Sequence, residues 1–375
     1  MNPWDGAWDG NDGDRMNLPK VSVLMSVYNG RRHLREAVES ILGQDFADFE
    51  FIVVNDGSAD ATPSILAEYA ARDSRIVLVH NPENIGLTRS LNRGLALARG
   101  RYVARQDADD VSLPGRLARE AAYLDEHPQA GLVSADYELA DAEGRVYDTV
   151  RLDGHPAAVR WHLLFYNYVG CHSLVMFRRE PVLGMGGYDE SLRYSQDYDL
   201  WVRLAERGPL AILPQVLLRH RVHPGNITAA NGAEQESISL GISRRRLERL
   251  TGRIVSADEA GRLRAFWLYG ELAPSEAPAM NATLQAVCAA FLAELARQQS
   301  LDAEAASAPS AAIVERFISA YESQWDSRGA GYRACLAERD AWRQHYQRLA
   351  ATVPVKWMLS ARRLLLRVWP AKCAR

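Results

Sequence analysis

The sequence predicts an α/β fold, with a mainly parallel central sheet flanked by helices and a helical extension at the C-terminal end. Between residues 20 and 105, short apolar runs alternate with amphipathic stretches of about 10–15 residues, a pattern typical of βαβ units. Beyond residue 231 the strand pattern stops and apolar residues recur at helical spacing. The chain has 375 residues, 47% of them hydrophobic and 24% charged, which is enough for one large domain and an appendage.

Four strands are predicted in the first part of the chain. They cover residues 21–27, 49–54, 76–79 and 102–104, and helical patterns separate them at 31–43, 60–72 and 86–98. The strands are apolar along nearly their whole length, as expected for a parallel sheet that is buried on both faces. In such a sheet the carboxyl ends of the strands meet at one edge, where ligands bind.

The pattern is looser after residue 130. Strands are predicted near 132–134, 173–177 and 216–221, and a helix near 197–207, so that a second half-sheet completes the domain. Farther along, one apolar stripe has the spacing of a helix face: Met280, Leu284, Val287, Phe291 and Leu295.

These patterns divide the chain into four parts. We predict a disordered N-terminal extension at 1–17, a main domain at 18–230, a helical extension at 231–330 and a basic amphipathic tail at 331–375. The helical extension contains an Ala/Ser-rich stretch at 302–311 that is typical of a linker.

Composition excludes several classes of protein. A formal net charge of -3 does not favour nucleic-acid binding. Four cysteines without C-x-x-C spacing argue against a zinc site or a disulfide framework and favour a reducing compartment. There is no apolar run of the roughly 18–20 residues that span a bilayer, and the acidic N-terminus is unlike a secretory signal. We therefore expect a cytoplasmic protein.

The segment from Arg105 to Asp110 follows the fourth strand and carries three carboxylates, at Asp107, Asp109 and Asp110. Carboxylates this close repel one another, and hard divalent cations such as Mg²⁺ and Mn²⁺ prefer such oxygen ligands while keeping positions open for substrate phosphates. The alternative is that Asp110 or Ser112 caps the next helix, which explains one acidic residue and not three.

Two more segments end predicted strands. Val27-Tyr28-Asn29-Gly30 precedes a helix, whose N-terminal N–H groups attract phosphate. Asn55-Asp56-Gly57-Ser58 follows the second strand, where Asn or Asp can pair with base or ribose edges. The alternative is a tight turn that binds no ligand. Neither G-x-G-x-x-G nor G-x-x-x-x-G-K-[ST] occurs here, so dehydrogenase and P-loop chemistry are not indicated.

Two polar residues lie farther along the chain. Asp197 is at the start of a predicted helix, where an acidic residue is more often a cap than a catalyst. His223 follows His220 at the end of a strand, and this spacing does not by itself make a zinc pair.

Taken together and in this order, the segments resemble the family-2 glycosyltransferases, whose nucleotide-sugar-binding fold is called GT-A. The resemblance runs from about Pro19 to Thr228 and includes Asn84-Ile-Gly86 and Leu91-Asn92-x-Gly94. It implies a set of contacts to the nucleotide sugar: Val27, Tyr28, Asn29, Asn55, Asp56, Asn84, Gly86, Asp107 and Ala108. It also implies metal ligation by Asp107, Asp109 and His223, and it makes Asp197 the catalytic base. Asn55 replaces the commoner Asp, and Gln196 replaces the Glu often found before the base.

The resemblance implies an inverting hexosyl- or N-acetylhexosaminyl-transferase that uses Mn²⁺ or Mg²⁺ and a nucleotide sugar, with a UDP-sugar first by family frequency. The acceptor would be a glycan or lipid-linked hydroxyl in cell-surface polysaccharide or lipopolysaccharide assembly. The alternatives are an inactive membrane-associated scaffold and a nucleotidyltransferase. A processive synthase is disfavoured because Q-x-x-R-W and transmembrane helices are missing from the sequence.

The C-terminal tail has its own character. Residues 341–375 contain eight Lys or Arg and no Asp or Glu, interleaved with Trp357, Trp369 and aliphatic residues. A basic amphipathic helix with Trp fits an anionic membrane surface, and the alternative is a helix that packs on the domain or on a partner. We expect a protein peripheral to the cytoplasmic face of the plasma membrane, and oligomerisation is an open possibility.

Overall fold

The computed structural model of the protein describes residues 18–269 and 276–297. The predicted extension at 1–17, the linker at 302–311 and the basic tail at 331–375 lie outside these residues. The chain divides into two compact units, of which the first ends at Ser243 and the second begins at Arg244. The boundary predicted at residue 231 coincides instead with a kink in a helix, where Asn231 leaves helical geometry (φ −134°, ψ 26°).

The first unit alternates strands and helices. Its strands are β1 (Val21–Val27), β2 (Phe49–Asp56), β3 (Ile76–Asn81), β4 (Tyr102–Gln106), β5 (Val111–Ser112), β6 (Leu132–Ala140), β7 (Val146–Val150), β8 (Met176–Arg178) and β9 (Leu210–Arg221). Its helices are α1 (Leu34–Leu42), α2 (Thr62–Arg72), α3 (Leu87–Leu97), α4 (Arg116–Glu126), α5 (Pro156–His162), α6 (Arg179–Gly184) and α7 (Gln196–Ala205). Helix α8 (Ile227–Thr251) begins in this unit and continues into the next.

One mixed sheet contains all of these strands, in the order β3-β2-β1-β4-β8-β6-β9-β5, with β7 paired to β6. The predicted parallel half is confirmed, because β3, β2, β1 and β4 run parallel to one another. The other half is mixed: β8 is antiparallel to β4 and β6, whereas β6 and β9 are parallel. The α/β architecture predicted from the sequence is therefore correct, and its parallel part is limited to the first half.

Two predicted strands differ from the structure. The run at 173–177 is a 3₁₀ turn, His172–Leu174, followed by the short strand β8. The turn lets the Ser173 hydroxyl reach the segment after β4, as described below. Strand β9 begins at Leu210 and not near residue 216, because its ladder with β6 continues past Pro214 through a register shift.

Both faces of the parallel half are covered. All seven residues of β1 are buried, with Val23 and Met25 in the core that includes α1 and Leu24 in the core that includes α3. Helix α3 packs tightly on the sheet because Gly94 has no side chain. A Cβ atom at Gly94 would lie 2.3 Å from Leu24 Cδ1, so a larger residue would push the helix away.

The second unit is helical in its described part, with the end of α8, α9 (Ala257–Tyr269) and α10 (Ala277–Arg297). The predicted apolar stripe on α10 is confirmed, since its members from Leu284 to Leu295 are buried and Met280 is half-buried. Within residues 18–269 and 276–297, no helix is both long and apolar enough to span a membrane.

Candidate active site

The predicted site residues of the first half meet at one edge of the sheet. In the parallel registers Val27 is level with Asn55, Asp56 with Asn81, and Met25 with Gln106. The segments that follow β1, β2, β3 and β4 therefore emerge side by side at the carboxyl ends of the strands. Strand β1 lies between β2 and β4, at the point where the strand order reverses, and this is where ligands bind in open α/β sheets.

The loop after β1 is tied to the loop after β2. Asn29 has a left-handed backbone (φ 50°), and its N–H donates to Ser58 Oγ at 2.9 Å. The next N–H, of Gly30, donates to Thr62 Oγ1 at 3.0 Å. These two N–H groups, which precede α1, therefore already have protein partners. Tyr28 and Asn29 are exposed, with Tyr28 52% accessible to solvent, while Val27 is buried.

Asp56 organises the neighbouring loop. Its buried carboxylate accepts hydrogen bonds from Asn81 Nδ2 at 2.7 Å, Ile85 N–H at 2.9 Å and Gly86 N–H at 3.0 Å. Asn84 accepts a further bond from Gly86. Hydrogen bonds thus connect the residues that are predicted to contact a nucleoside. The Asp56 side chain fixes the shape of the site, since its oxygens already have protein partners.

Asn55 is also buried, and its Oδ1 accepts a hydrogen bond from Ser58 N–H at 3.2 Å. Gly57 has a left-handed backbone (φ 68°), and a Cβ atom there would lie 2.4 Å from the Glu83 backbone. This turn requires glycine both for its conformation and for its close approach to the loop after β3.

Asp107, the first residue of the D-x-D segment, forms an ion pair with Arg105, whose side chain is fully buried. Its N–H donates to Ser173 Oγ at 3.0 Å. Burial would raise the pKa of Asp107, but the Arg105 guanidinium, together with smaller contributions that include the hydrogen bond with Ser173, holds this pKa below its ordinary value. Asp107 is therefore ionised, and one of its oxygens has a permanent cationic partner. Ala108, between the two aspartates, is half-buried.

Asp109 faces the segment after β9. Its Oδ2 lies 3.1 Å from His223 Nε2 and 3.2 Å from Asn226 Nδ2. The structure thus brings Asp109 and His223 together, as the sequence predicts. Burial and the negative charges of Asp110 and Asp107 raise the pKa of Asp109 to about 7. This carboxylate lacks the compensating cation that Asp107 has.

Asp110 has a structural role that the sequence does not reveal. Its buried carboxylate lies 3.0 Å from His220 Nδ1 and accepts the Arg221 N–H at 2.9 Å. Burial would lower the pKa of His220, but the hydrogen bond with Asp110 raises it to about 9, so this ring is charged at neutral pH. Asp110 does not cap α4, because that helix begins at Arg116 after the left-handed Gly115. The capping alternative is therefore wrong for Asp110.

The donor set around Asp109 fits a divalent cation that is shared with a substrate phosphate. Among the described residues, no three His, Cys, Asp or Glu side chains are grouped as a metal centre. Mg²⁺ and Mn²⁺ need few protein ligands when a nucleotide phosphate supplies the others. His223 Nδ1 accepts the Gly225 N–H at 3.1 Å, which leaves the ring proton on Nε2, facing Asp109. Ligation of a cation through Nε2 would therefore require the other neutral tautomer, with the proton on Nδ1.

His33 is a neighbour that sequence reasoning missed. Its ring centroid lies 5.4 Å from that of His223, although the two residues are far apart in the chain. His33 Nε2 is buried, and within the described part of the chain it has no hydrogen-bond partner. Burial lowers the pKa of His33 to about 4, with help from Arg221, so the ring is neutral. A buried polar atom without a partner beside Asp109 and His223 is expected where an ion or phosphate binds.

The predicted base, Asp197, is the second residue of α7, after Ser195, which has a left-handed backbone (φ 56°). Asn167 Nδ2 donates to Asp197 Oδ2 at 2.9 Å. Burial raises the pKa of Asp197, and the charge of Asp107 acts in the same direction. A carboxylate with a raised pKa at a ligand-binding edge is typical of a general base.

A buried chain of hydrogen bonds joins the D-x-D segment to the loop before α7. Arg105, the partner of Asp107, donates through Nε to His172 Nε2 at 3.1 Å. The Tyr188 hydroxyl lies 2.9 Å from the same nitrogen. Tyr188 is held to α3 by Asn92, which accepts the Tyr188 N–H at 2.9 Å and donates to its carbonyl at 2.8 Å. The D-x-D segment and the loop before α7 are therefore fixed relative to each other.

The chain is similar to several known proteins. The sequence profile described as "Glycosyl transferase family 2" matches residues 22–182. The putative glycosyltransferase EpsE of Bacillus subtilis (strain 168) is 37% identical over 196 residues, which cover 51% of this chain and 68% of EpsE. The amylovoran biosynthesis glycosyltransferase AmsE of Erwinia amylovora is 31% identical over 217 residues, or 56% of this chain and 79% of AmsE.

A solved structure is also similar. It is S. aureus TarS 1–349 in complex with UDP-GlcNAc, with a TM-score of 0.51 and 16% identity, covering 83% of this chain and 93% of that one. At this identity the similarity concerns the fold, and it supports the α/β architecture. The relatives, several of which share at least 30% identity over more than two thirds of their own length, make this chain a glycosyltransferase. The chain belongs to glycosyl transferase family 2.

Proposed function

We propose that this protein is an inverting, metal-dependent glycosyltransferase of the GT-A type that transfers a sugar from a nucleotide sugar to an acceptor hydroxyl. The observation that carries the proposal is that two carboxylates, Asp109 and Asp197, lie in different surroundings. Asp109 lies against His223 at the carboxyl end of the parallel strands. Asp197, on α7, has a raised pKa and a separate amide partner. One group suits a cation and a diphosphate, and the other suits proton removal.

In this mechanism Asp197 accepts the proton of the acceptor hydroxyl as its oxygen attacks the anomeric carbon. A single base on the face opposite the leaving group gives one displacement and hence inversion. Asp109 and His223 would hold the divalent cation, which when bound offsets the charge on the leaving nucleoside diphosphate. Asp107 stays ionised beside Arg105 and is the third ligand that we propose, through the oxygen that Arg105 does not hold.

The proposed donor is a UDP-sugar, and the proposed acceptor is a glycan or lipid-linked hydroxyl in cell-surface polysaccharide assembly. Two comparisons support this choice. TarS was solved with UDP-GlcNAc, and AmsE is named for the biosynthesis of amylovoran. Asp56 and the loop that it fixes at Asn84–Gly86 would form the rigid wall against the nucleoside.

A panel of nucleotide sugars tests the donor site directly. We expect one nucleotide family to raise the Tm when Mn²⁺ is present and to have little effect without it. A ligand at a hundredfold excess over Kd stabilises by about 2.7 kcal/mol, or roughly 5–10 °C for a domain of this size. If folded protein with metal responds to no nucleotide, the proposal fails and the inactive-scaffold alternative gains.

We also propose that the basic tail at residues 331–375 holds the enzyme on an anionic membrane, where a lipid-linked acceptor would be found. The full chain should sediment with phosphatidylglycerol vesicles at 0.1 M salt and be released at 1 M salt, because screening shortens from about 10 Å to about 3 Å. Neutral vesicles should not bind it. Replacement of Arg362, Arg363 and Arg367 by Gln should weaken sedimentation and leave turnover of a soluble acceptor unchanged. Salt-resistant binding, or no binding, would contradict the electrostatic attachment.

A further inference from the structure

Asn167 is the side chain in contact with the proposed base. Its Nδ2 donates to Asp197 Oδ2 at 2.9 Å. Asn167 lies between α5 and the 3₁₀ turn, thirty residues before Asp197, so it approaches the carboxylate from a separate part of the chain. An amide N–H in this position makes a charge-assisted hydrogen bond, which is stronger with an ionised carboxylate than with a neutral carboxyl.

The other end of the same amide is left without a partner. Asn167 Oδ1 is buried, and no described residue donates a hydrogen bond to it. Turning the amide over would direct this carbonyl oxygen at the Asp197 carboxylate, where two acceptors repel each other. The orientation of the amide is therefore set by Asp197. Burying the Asn167 carbonyl oxygen without a hydrogen bond costs folding free energy, so packing alone does not explain an asparagine at this position.

Resting on the proposed function, we infer that Asn167 is a positioning residue, which keeps the Asp197 carboxylate oriented and ionised for removal of the acceptor proton. Other groups around Asp197 act on the same equilibrium. The negative charge of Asp107, after β4, favours the protonated form, as does burial. The Tyr198 N–H of α7 favours the ionised form. The Tyr188 phenol stays neutral because burial raises its pKa.

The pH profile of kcat distinguishes this role from a structural one. In Asn167→Ala, loss of the amide should move the acid limb upward by about one pH unit or more, since a hydrogen bond to a charged group has this size. Turnover should fall roughly tenfold below the limb and approach the wild-type value at high pH. The KM for the nucleotide sugar should be unchanged, and the Tm should fall mainly at the pH values at which Asp197 is ionised.

Ser134→Ala is the matched control. Ser134 is buried, and its hydroxyl donates to the Val169 carbonyl at 2.8 Å, so it supports the same segment without touching Asp197. This variant should lower the Tm and leave the acid limb where it is. If Asn167→Ala behaves like Ser134→Ala, the positioning role is wrong. The nearly isosteric Asn167→Asp, which keeps the volume, should move the limb at least as far because two carboxylates then share the site.

A stability cycle tests the contact even without turnover. Asp197→Asn is compared in the wild-type and Asn167→Ala backgrounds over a range from pH 4 to pH 9. We expect the gain in Tm from Asp197→Asn to be larger when the amide is missing, because the charge then has no compensating donor. Equal gains would show that the contact does not act on the carboxylate. Coupling without turnover of any nucleotide sugar would instead contradict the proposed function and keep the contact.

Discussion

Asp197→Asn should lower turnover by roughly 10²–10⁴-fold, the usual contribution of a general base. Binding of the nucleotide sugar should change little, because Asp197 is on α7 and the proposed nucleotide contacts follow β1 to β4. The measurement is kcat with the donor found by the panel, together with the donor Kd. Near-normal turnover would remove Asp197 from the mechanism.

The same substitution should make the protein more stable at neutral pH. Since burial raises the pKa of Asp197 in the folded state, ionisation costs folding free energy as the pH rises above the unfolded value of about 4. An amide at this position removes the cost. The expected gain is a few degrees in Tm, with ~1 kcal/mol corresponding to roughly 2–4 °C, and it should vanish below pH 4. A loss of both activity and stability would indicate a structural residue.

The second large effect concerns the adjacent residues Asp109 and Asp110, whose substitution should have different results. Asp109→Asn should weaken metal-dependent binding of the nucleotide sugar by more than the 10–100-fold typical of outer-shell partners, because Asp109 is proposed to touch the metal. The Tm of the metal-free protein should rise at neutral pH, because burial and the charges of Asp110 and Asp107 raise the pKa of Asp109 in the folded state, so that its ionisation costs folding free energy. Unchanged affinity, measured by titration with and without Mn²⁺, would exclude Asp109 as a ligand.

Asp110→Ala should instead lower the stability of the protein and largely preserve its metal affinity. Asp110 is buried and bonded to the charged ring of His220, and its removal leaves that charge without its partner. We expect a loss of roughly 3 kcal/mol, the lower end of the range for a broken buried pair, because His220 keeps 29% of its exposure. At temperatures where the variant is folded, metal affinity should be largely retained. Denaturant unfolding measures the first quantity and the Mn²⁺ titration the second.

Sequence reasoning succeeded where the signal is local. The apolar runs of β1 to β4 are continuous because both faces of those strands are buried, and this alone predicts a parallel sheet with ligands at its carboxyl edge. It also brought Asp109 and His223 into one site, through motif order. The antiparallel strand β8 was harder to predict, since a three-residue strand after a 3₁₀ turn has too few residues to show a period.

The missed residues share one property, which is that their roles come from contacts between distant parts of the chain. The pairs Asp110–His220, Arg105–His172 and Asn167–Asp197 join positions 110, 67 and 30 residues apart. Nothing local distinguishes the ligand candidate Asp109 from the structural anchor Asp110. His33 likewise looks like an ordinary residue at the start of a helix until the fold brings its ring beside His223.

The short ladder between strands β4 and β8, here called the seam, has a consequence for how enzymes of this family evolve. The ladder there is only three residue pairs long, and the four strands on the β1 side of it, β1 to β4, all come from residues before 107. The strands on the other side, and the proposed base Asp197, come from later residues, so each half of the sheet is encoded by one uninterrupted stretch of gene. Recombination near codon 107 would therefore exchange one half of the sheet and keep the other. The exchange would succeed only if partners across the seam, such as Arg105 with His172 and Asn92 with Tyr188, were inherited as compatible pairs.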